Sequence, residues 1–227
     1  QRVLSASGVT IPAMKSQTPN SPSPTLIFDF GGVLLDWDPR YLYRKLFLGD
    51  EPAMERFLAE VGFFEWNRLQ DAGRPFSEAV AELCALHPQY CELIRAYDVR
   101  YPESLGGAIA GTVDILQRLW TAGFSLYALN NWRAEKYYQV RSDYEFLGWF
   151  RDIIISGEVG AAKPDPRIFQ ALLERVGRPA GECLLIDDAP ANIAAAEAQG
   201  FQTIHFLNPP QLADELSRRG LLPGSEV

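Results

Sequence analysis

Five short apolar runs, each cut off by a turn and separated from the next by a helical pattern, restrict this chain more than any other feature of its sequence. The first, Thr25-Leu26-Ile27-Phe28-Asp29-Phe30, is stopped by Gly31-Gly32, and the others cover Ser125 to Leu129, Asp152 to Ile155, Cys183 to Ile186 and Gln202 to Phe206. Continuous apolar runs of this length suit strands buried on both faces, the environment of a parallel sheet covered by helices. Apolar residues at helical spacing fill the intervals, as in Val113-Leu116-Leu119-Trp120 and Ile168-Leu172-Leu173-Val176, and the Ala-rich stretch from Ala191 to Gln199 is closed by Gly200. Strand and helix in alternation predict an α/β fold with a Rossmann-like, doubly wound parallel sheet.

The alternation fails between Asp38 and Ala110, where Tyr41-Arg44-Lys45-Leu48, Met54 to Leu58 and Phe76 to Leu83 are all helical patterns. An inserted helical cap is expected there. The division is then an N-terminal tail over 1–24, a core built from 25–37 and 111–227, and a cap over 38–110. Ser21-Pro22-Ser23-Pro24 suits neither a helix nor a sheet interior, which is why the tail is set apart. A chain of 227 residues accommodates one α/β domain with such an insert.

Charge narrows the partners. Against 29 acidic residues stand 21 basic ones, a net charge of −8, so the chain lacks the basic stripe of a nucleic-acid binder. No apolar run approaches the length of a membrane span and the first residues lack an apolar signal core, so no membrane partner and a cytoplasmic location are expected. Cys84, Cys91 and Cys183 are odd in number and without C-x-x-C spacing, which suggests neither a disulfide framework nor a zinc site and fits a reducing compartment. An anionic small substrate would meet net repulsion, so a bound cation or a local cluster of Lys and Arg must offset it.

In an open parallel sheet, ligands bind beyond the carboxyl ends of the strands, so the polar residues that end the apolar runs are the candidates for chemistry. These are Asp29, the pair Asn130-Asn131, Lys163 in Gly160-Ala161-Ala162-Lys163-Pro164-Asp165, and the pair Asp187-Asp188. Three carboxylates in one crevice repel unless a cation intervenes, and one lysine cannot neutralise them. A hard divalent ion is implied, and Mg²⁺ takes oxygen ligands of this kind together with substrate phosphate. Asp29, followed by two glycines whose amides are free to hold phosphate oxygens, is the candidate nucleophile.

Leu26-Ile27-Phe28-Asp29-Phe30-Gly31-Gly32-Val33, Leu129-Asn130-Asn131, Lys163-Pro164-Asp165-Pro166 and Leu185-Ile186-Asp187-Asp188 resemble, in order and strand context, the four motifs of the haloacid dehalogenase superfamily. The resemblance spans roughly Thr25 to Phe206 and implies a Rossmann-like core, a helical C1-type cap inserted after the first strand, and an aspartyl-phosphate intermediate on Asp29. It further implies that Lys163 holds the charge between nucleophile and phosphoryl oxygens, and that Asn130 donates a hydrogen bond to one of those oxygens. Mg²⁺ would be held by Asp29, Asp188 and the Gly31 carbonyl, with Asp187 supporting the ion or its waters and Asn192 ordering the loop. Gly31, Gly32 and Asn131 are expected to contact substrate, joined by Arg74 from the cap stretch Asp71-Ala72-Gly73-Arg74. Trp132-Arg133, just past the second motif, is a similar candidate.

Two departures matter. Phosphatases of the family usually carry a second Asp two residues after the nucleophile as acid and base, where this chain has Gly31, and Asn130 stands where Ser or Thr is usual. The Asp-x-Gly-Gly-Val pattern resembles a subgroup that includes glucose-1-phosphate phosphatases and the amino-terminal domains of some soluble epoxide hydrolases. Asp36 and Asp38 are candidate replacement acids, with turn formation beside Pro39 as the competing role. Without a replacement, leaving oxygens depart with little proton assistance. The leading expectation is a Mg²⁺-dependent phosphatase acting on a small phosphorylated metabolite. A 2-haloacid dehalogenase using Asp29 against carbon without metal is the alternative, and a catalytically weak binding module the third.

Overall fold

The computed structural model describes residues 23–222. The expected tail therefore lies outside the described residues except for its last two. In chain order the strands are β1 (Thr25–Phe28), β2 (Leu35–Trp37), β3 (Leu105–Ala108), β4 (Leu126–Asn130), β5 (Asp152–Ile155), β6 (Cys183–Asp187) and β7 (Gln202–His205). The helices before β3 are α1 (Arg40–Leu46), α2 (Glu51–Glu60), α3 (Phe63–Asp71), α4 (Phe76–Leu86) and α5 (Cys91–Val99). Those after it are α6 (Ala110–Thr121), α7 (Ala134–Val140), α8 (Ser156–Val159), α9 (Pro166–Val176), α10 (Pro190–Ala198) and α11 (Pro209–Arg218).

All five predicted runs are strands of one parallel sheet in the order β5-β4-β1-β6-β7. The chain winds outward from β1 on one side through β4 and β5, then returns to the other side through β6 and β7, as a doubly wound sheet requires. Leu26 and Phe28 belong to the apolar cluster on one face, whereas Ile27 belongs to the cluster on the other. This alternation explains why every position of the run had to be apolar. Local signals set the helix starts: Asp165 caps α9 by accepting from the Arg167 amide, and Asn208 caps α11 by accepting from the Gln211 amide.

The segment that broke the alternation is helical, from α1 to α5, and it leaves and rejoins the core through β2 and β3, which pair antiparallel. Its interior is aromatic. Tyr43 meets Phe57 and Phe63 edge-on, and Phe63 in turn meets Tyr97 at a centroid distance of 4.8 Å. Tyr101 carries this aromatic packing from Tyr97 to Trp132 of the core. Such pairs add to area burial by roughly 0.5–1.5 kcal/mol each.

One expectation is corrected here. Cys84 and Cys91 are joined in a disulfide across the turn between α4 and α5, with Cα atoms 4.6 Å apart, and Cys183 is the free, buried thiol. Counting alone treated the three cysteines as one set, but the fold divides them between the helical segment and the sheet. The cysteine argument for a reducing compartment falls with that bond. Among the described residues no helix is long and apolar enough to cross a membrane.

Candidate active site

Asp29 follows β1, and its amide donates to the Ile186 carbonyl of β6 at 3.0 Å, so the neighbouring strand fixes its backbone. Its Oδ1 accepts from the Phe30 amide at 2.8 Å and lies 3.0 Å from Lys163 Nζ. The Lys163 side chain is wholly buried, and its ammonium also donates to the Leu129 carbonyl at 2.7 Å and to Asp187 Oδ2 at 2.6 Å. Three N–H groups thus meet three acceptors, which is the condition for burying an ammonium without a large penalty.

The electrostatics follow from this burial. Desolvation pushes the Asp29 carboxyl up to about 7, with Lys163 working against it and the charges of Asp187 and Asp188 adding to it. For Lys163, burial favours the neutral amine, but Asp29 and Asp187 more than offset it and hold the ammonium above its ordinary range. Burial, then Asp187, raises Asp188.

Asp187 is fully engaged: besides Lys163, it accepts from the Ala189 amide at 2.9 Å and from Asn192 Nδ2 at 3.0 Å. Asn192 therefore orders this loop, as the resemblance implied. One carboxylate oxygen from each of Asp29, Asp187 and Asp188 lies within 4.8 Å of the others. This all-oxygen set, carrying more negative charge than Lys163 balances, fits a hard divalent ion.

Asn130 ends β4 with its Oδ1 accepting from the Phe30 amide at 2.7 Å, while its Nδ2 is buried without a partner. An orphaned buried amide donor is costly unless a ligand oxygen completes it, which suits the role expected at this position. Asn131 lines the cavity as well. Its amide exchanges hydrogen bonds with the backbone of Lys163, Nδ2 to the carbonyl at 2.8 Å and Oδ1 from the amide at 2.7 Å, so it positions the lysine loop.

The two glycines have different constraints. Gly32 has φ +73, and a Cβ there would stand 2.2 Å from Asp188 Oδ2. Gly31 has open space where a Cβ would point and does not need a left-handed backbone, so the fold has room for a side chain there. Gly32→Ala should displace Asp188 and force a left-handed alanine, costing roughly 1–2 kcal/mol. Titration of the variant with Mg²⁺ should show weakened stabilisation, and wild-type Mg²⁺ response in that variant would remove Asp188 from the ion site.

Arg74 does not enter the site. Its guanidinium pairs with Glu82 of α4, and only its backbone carbonyl faces the core, where it accepts from Arg133 Nη1. The basic groups that line the cavity beside Asp29 are Arg133 and Lys136. That cavity, about 110 Å³, is lined by Phe30, Gly31 and Asn130 of the core and by Phe76, Tyr97 and Tyr101 of the helical segment. Arg133 and Lys136 each stand 4.7 Å from the centroid of Phe76. Sequence inspection singled out both Asp71-Ala72-Gly73-Arg74 and Trp132-Arg133, and of the two arginines it is Arg133 that lines the cavity. The Glu82 that claims Arg74 sits eight residues away, one and a half turns into α4, and nothing in the spacing advertises the pair.

The haloacid dehalogenase-like hydrolase family model matches residues 24–200, and the chain belongs to that family of hydrolases. A sesquiterpene phosphatase of Aspergillus oryzae is 23% identical over 191 residues, covering 79% of this chain and 88% of the relative. A glyceraldehyde 3-phosphate phosphatase of Methanopyrus kandleri is 25% identical over 193 residues, covering 77% of this chain and 82% of the relative. Among solved structures, a family enzyme of Bacteroides thetaiotaomicron in complex with magnesium and inorganic phosphate shares the fold at TM-score 0.62 and 23% identity, over 82% of this chain and 96% of that one.

Proposed function

We propose that this chain is a Mg²⁺-dependent phosphatase that hydrolyses a small phosphorylated metabolite through an aspartyl phosphate on Asp29. The observation that carries the reading is Asp29 held 3.0 Å from a buried Lys163 beside the unpartnered Nδ2 of Asn130. A carboxylate oxygen of Asp29 attacks phosphorus, the Asp29–phosphorus bond forms and the bond to the leaving oxygen breaks. Lys163 and Asn130 Nδ2 supply positive charge and a donor to phosphoryl oxygens as charge builds there. Water then attacks phosphorus and releases phosphate from Asp29. Asp29, Asp188 and the Gly31 carbonyl would hold Mg²⁺, with Asp187 behind them, and the ion would neutralise phosphate charge.

The helical segment over 38–110 serves as the cap that selects the metabolite, its aromatic residues facing the organic part of the substrate. Arg133 and Lys136 bring cations to the cavity, but each is already paired, with Glu135 and Asp98, so Lys163 and Mg²⁺ would carry most of the positive charge that an anionic substrate meets. The relatives named for sesquiterpene and triose phosphates show how far substrates diverge within one family, so only a screen can name this one. A panel of phosphorylated metabolites assayed with Mg²⁺ and with chelator tests the reading. Turnover of at least one phosphomonoester, lost in chelator and restored by Mg²⁺, is the expected result. Release of halide from a 2-haloacid in chelator would instead establish the dehalogenase, and binding of phosphate without turnover of any panel member the binding module.

A further inference from the structure

Gly31 leaves the departing oxygen without the usual acid, and neither substitute suggested by the sequence is available. Asp36 Oδ2 accepts from the Tyr41 hydroxyl at 2.6 Å, and Asp38 Oδ1 accepts from the Arg40 amide at 2.9 Å, so both serve the turn into α1. Neither lines the cavity. Among the described residues that do, one is a carboxylate: Asp71, the last residue of α3, which lines the cavity together with Gly31 and Asn130.

The position of Asp71 is fixed by the core. Two residues on, Gly73 has φ +98, and a Cβ there would lie 3.4 Å from the Gly157 carbonyl, so the turn packs against the start of α8. Arg133 then hydrogen-bonds the Arg74 carbonyl. Arg133, the charge that acts on Asp71 most strongly, gives its Nη2 to both oxygens of Glu135 at 2.9 Å, and its Nε is buried without a hydrogen-bond partner. No described residue donates a hydrogen bond to Asp71. Burial pushes the carboxyl up to about 7, with the Asp29 charge adding to it and Arg133, Arg68 and Lys163 working against it. At neutral pH such a group both gives and takes a proton.

We propose that Asp71 is the general acid and base of this site, protonating the leaving oxygen in the first step and deprotonating the attacking water in the second. The inference rests on the phosphatase reading. In the first step the electron pair of the breaking phosphorus–oxygen bond takes the Asp71 proton while the Asp29–phosphorus bond forms. In the second the water oxygen bonds to phosphorus, the Asp29–phosphorus bond breaks, and Asp71 recovers its proton. Gly31 and Asp71 line the same cavity, and a Cβ on Gly31 would meet nothing within 4 Å, so no side chain fills the space beside Gly31.

The test is single-turnover hydrolysis of aryl and alkyl phosphates of graded leaving-group pKa by wild type, Asp71→Asn, Asp71→Ala and Asp71→Asn combined with Gly31→Asp. In wild type, log rate should fall shallowly as leaving-group pKa rises. Asp71→Asn should lower the rate on an alkyl phosphate by about 10²–10³-fold, and on 4-nitrophenyl phosphate by less than about tenfold, giving a steeper line. The loss of rate that wild type shows as pH rises through neutrality should also disappear. Adding Gly31→Asp should restore part of the alkyl rate. Asp71→Ala should repeat the steepening, which keeps the test decisive if the Asn variant folds poorly. A steep wild-type line, or equal losses on every leaving group in either variant, would overturn the role of Asp71 and leave the phosphatase intact. Absence of phosphomonoester hydrolysis in wild type would overturn both.

Discussion

Asp29→Asn should abolish turnover, by about 10⁴-fold or more, in a protein that remains folded. The amide cannot attack phosphorus, yet it keeps the size of the carboxylate and an oxygen for the Phe30 amide, which sits 2.8 Å from Oδ1. Lys163 retains Asp187 and the Leu129 carbonyl, so its charge stays compensated. Beryllofluoride should form an acyl-phosphate mimic on wild type and not on the variant, and the melting temperature at pH 8 should not fall. Turnover within tenfold of wild type would place the nucleophile elsewhere.

Lys163→Met should destabilise the protein by about 3–5 kcal/mol at pH 8, because it leaves the carboxylates of Asp29 and Asp187 facing each other with no cation between them. At this chain length that corresponds to roughly 10 °C of melting temperature. The loss should shrink as pH falls. Burial already lifts Asp29 from 3.8 to about 7 in the folded protein, so its folded state binds the proton more tightly than the unfolded chain. A raised carboxyl contributes its stability fully below the unfolded value and loses it as pH climbs through the folded one. Removing Lys163 lifts Asp29 further, so the deficit is largest at pH 8 and smallest near pH 4. Melting curves in chelator across that range measure it. A deficit independent of pH would mean that lost packing of the lysine stem, rather than charge, dominates.

The sheet was legible because its central strands β1, β4 and β6 are buried on both faces, which forces unbroken apolar runs such as Leu26-Ile27-Phe28, whereas the edge strand β7 exposes Gln202 and His205. The strands β2 and β3 were not. Leu35–Trp37 is three residues long and merges with the preceding apolar run, while Leu105–Ala108 contains two glycines, and both depend on pairing with a partner distant in sequence. Motif residues at strand ends could be placed because topology alone brings Asp29, Asn130 and Asp187 to one edge of the sheet. The side-chain partners of Asn131 and Arg74 could not, since they turn on which neighbour claims a side chain first: the Lys163 backbone in one case and Glu82 in the other. Asp71 escaped for a related reason. Its exposed-looking sequence, between Gln70 and Ala72 at a helix end, gives no sign that the turn after it packs onto the core.

The helical segment enters through β2 and leaves through β3, and these two strands lie side by side. Everything between them can therefore be exchanged in evolution as a cassette, with both splice points on one narrow neck and the five-stranded sheet untouched. Asp29, Lys163, Asp187 and Asp188 lie outside the cassette and stay behind, whereas Asp71 and the aromatic wall travel with it. In such an exchange the machinery that takes the phosphoryl group is inherited from one ancestor, while recognition of the leaving group and the means of protonating it are inherited together from another.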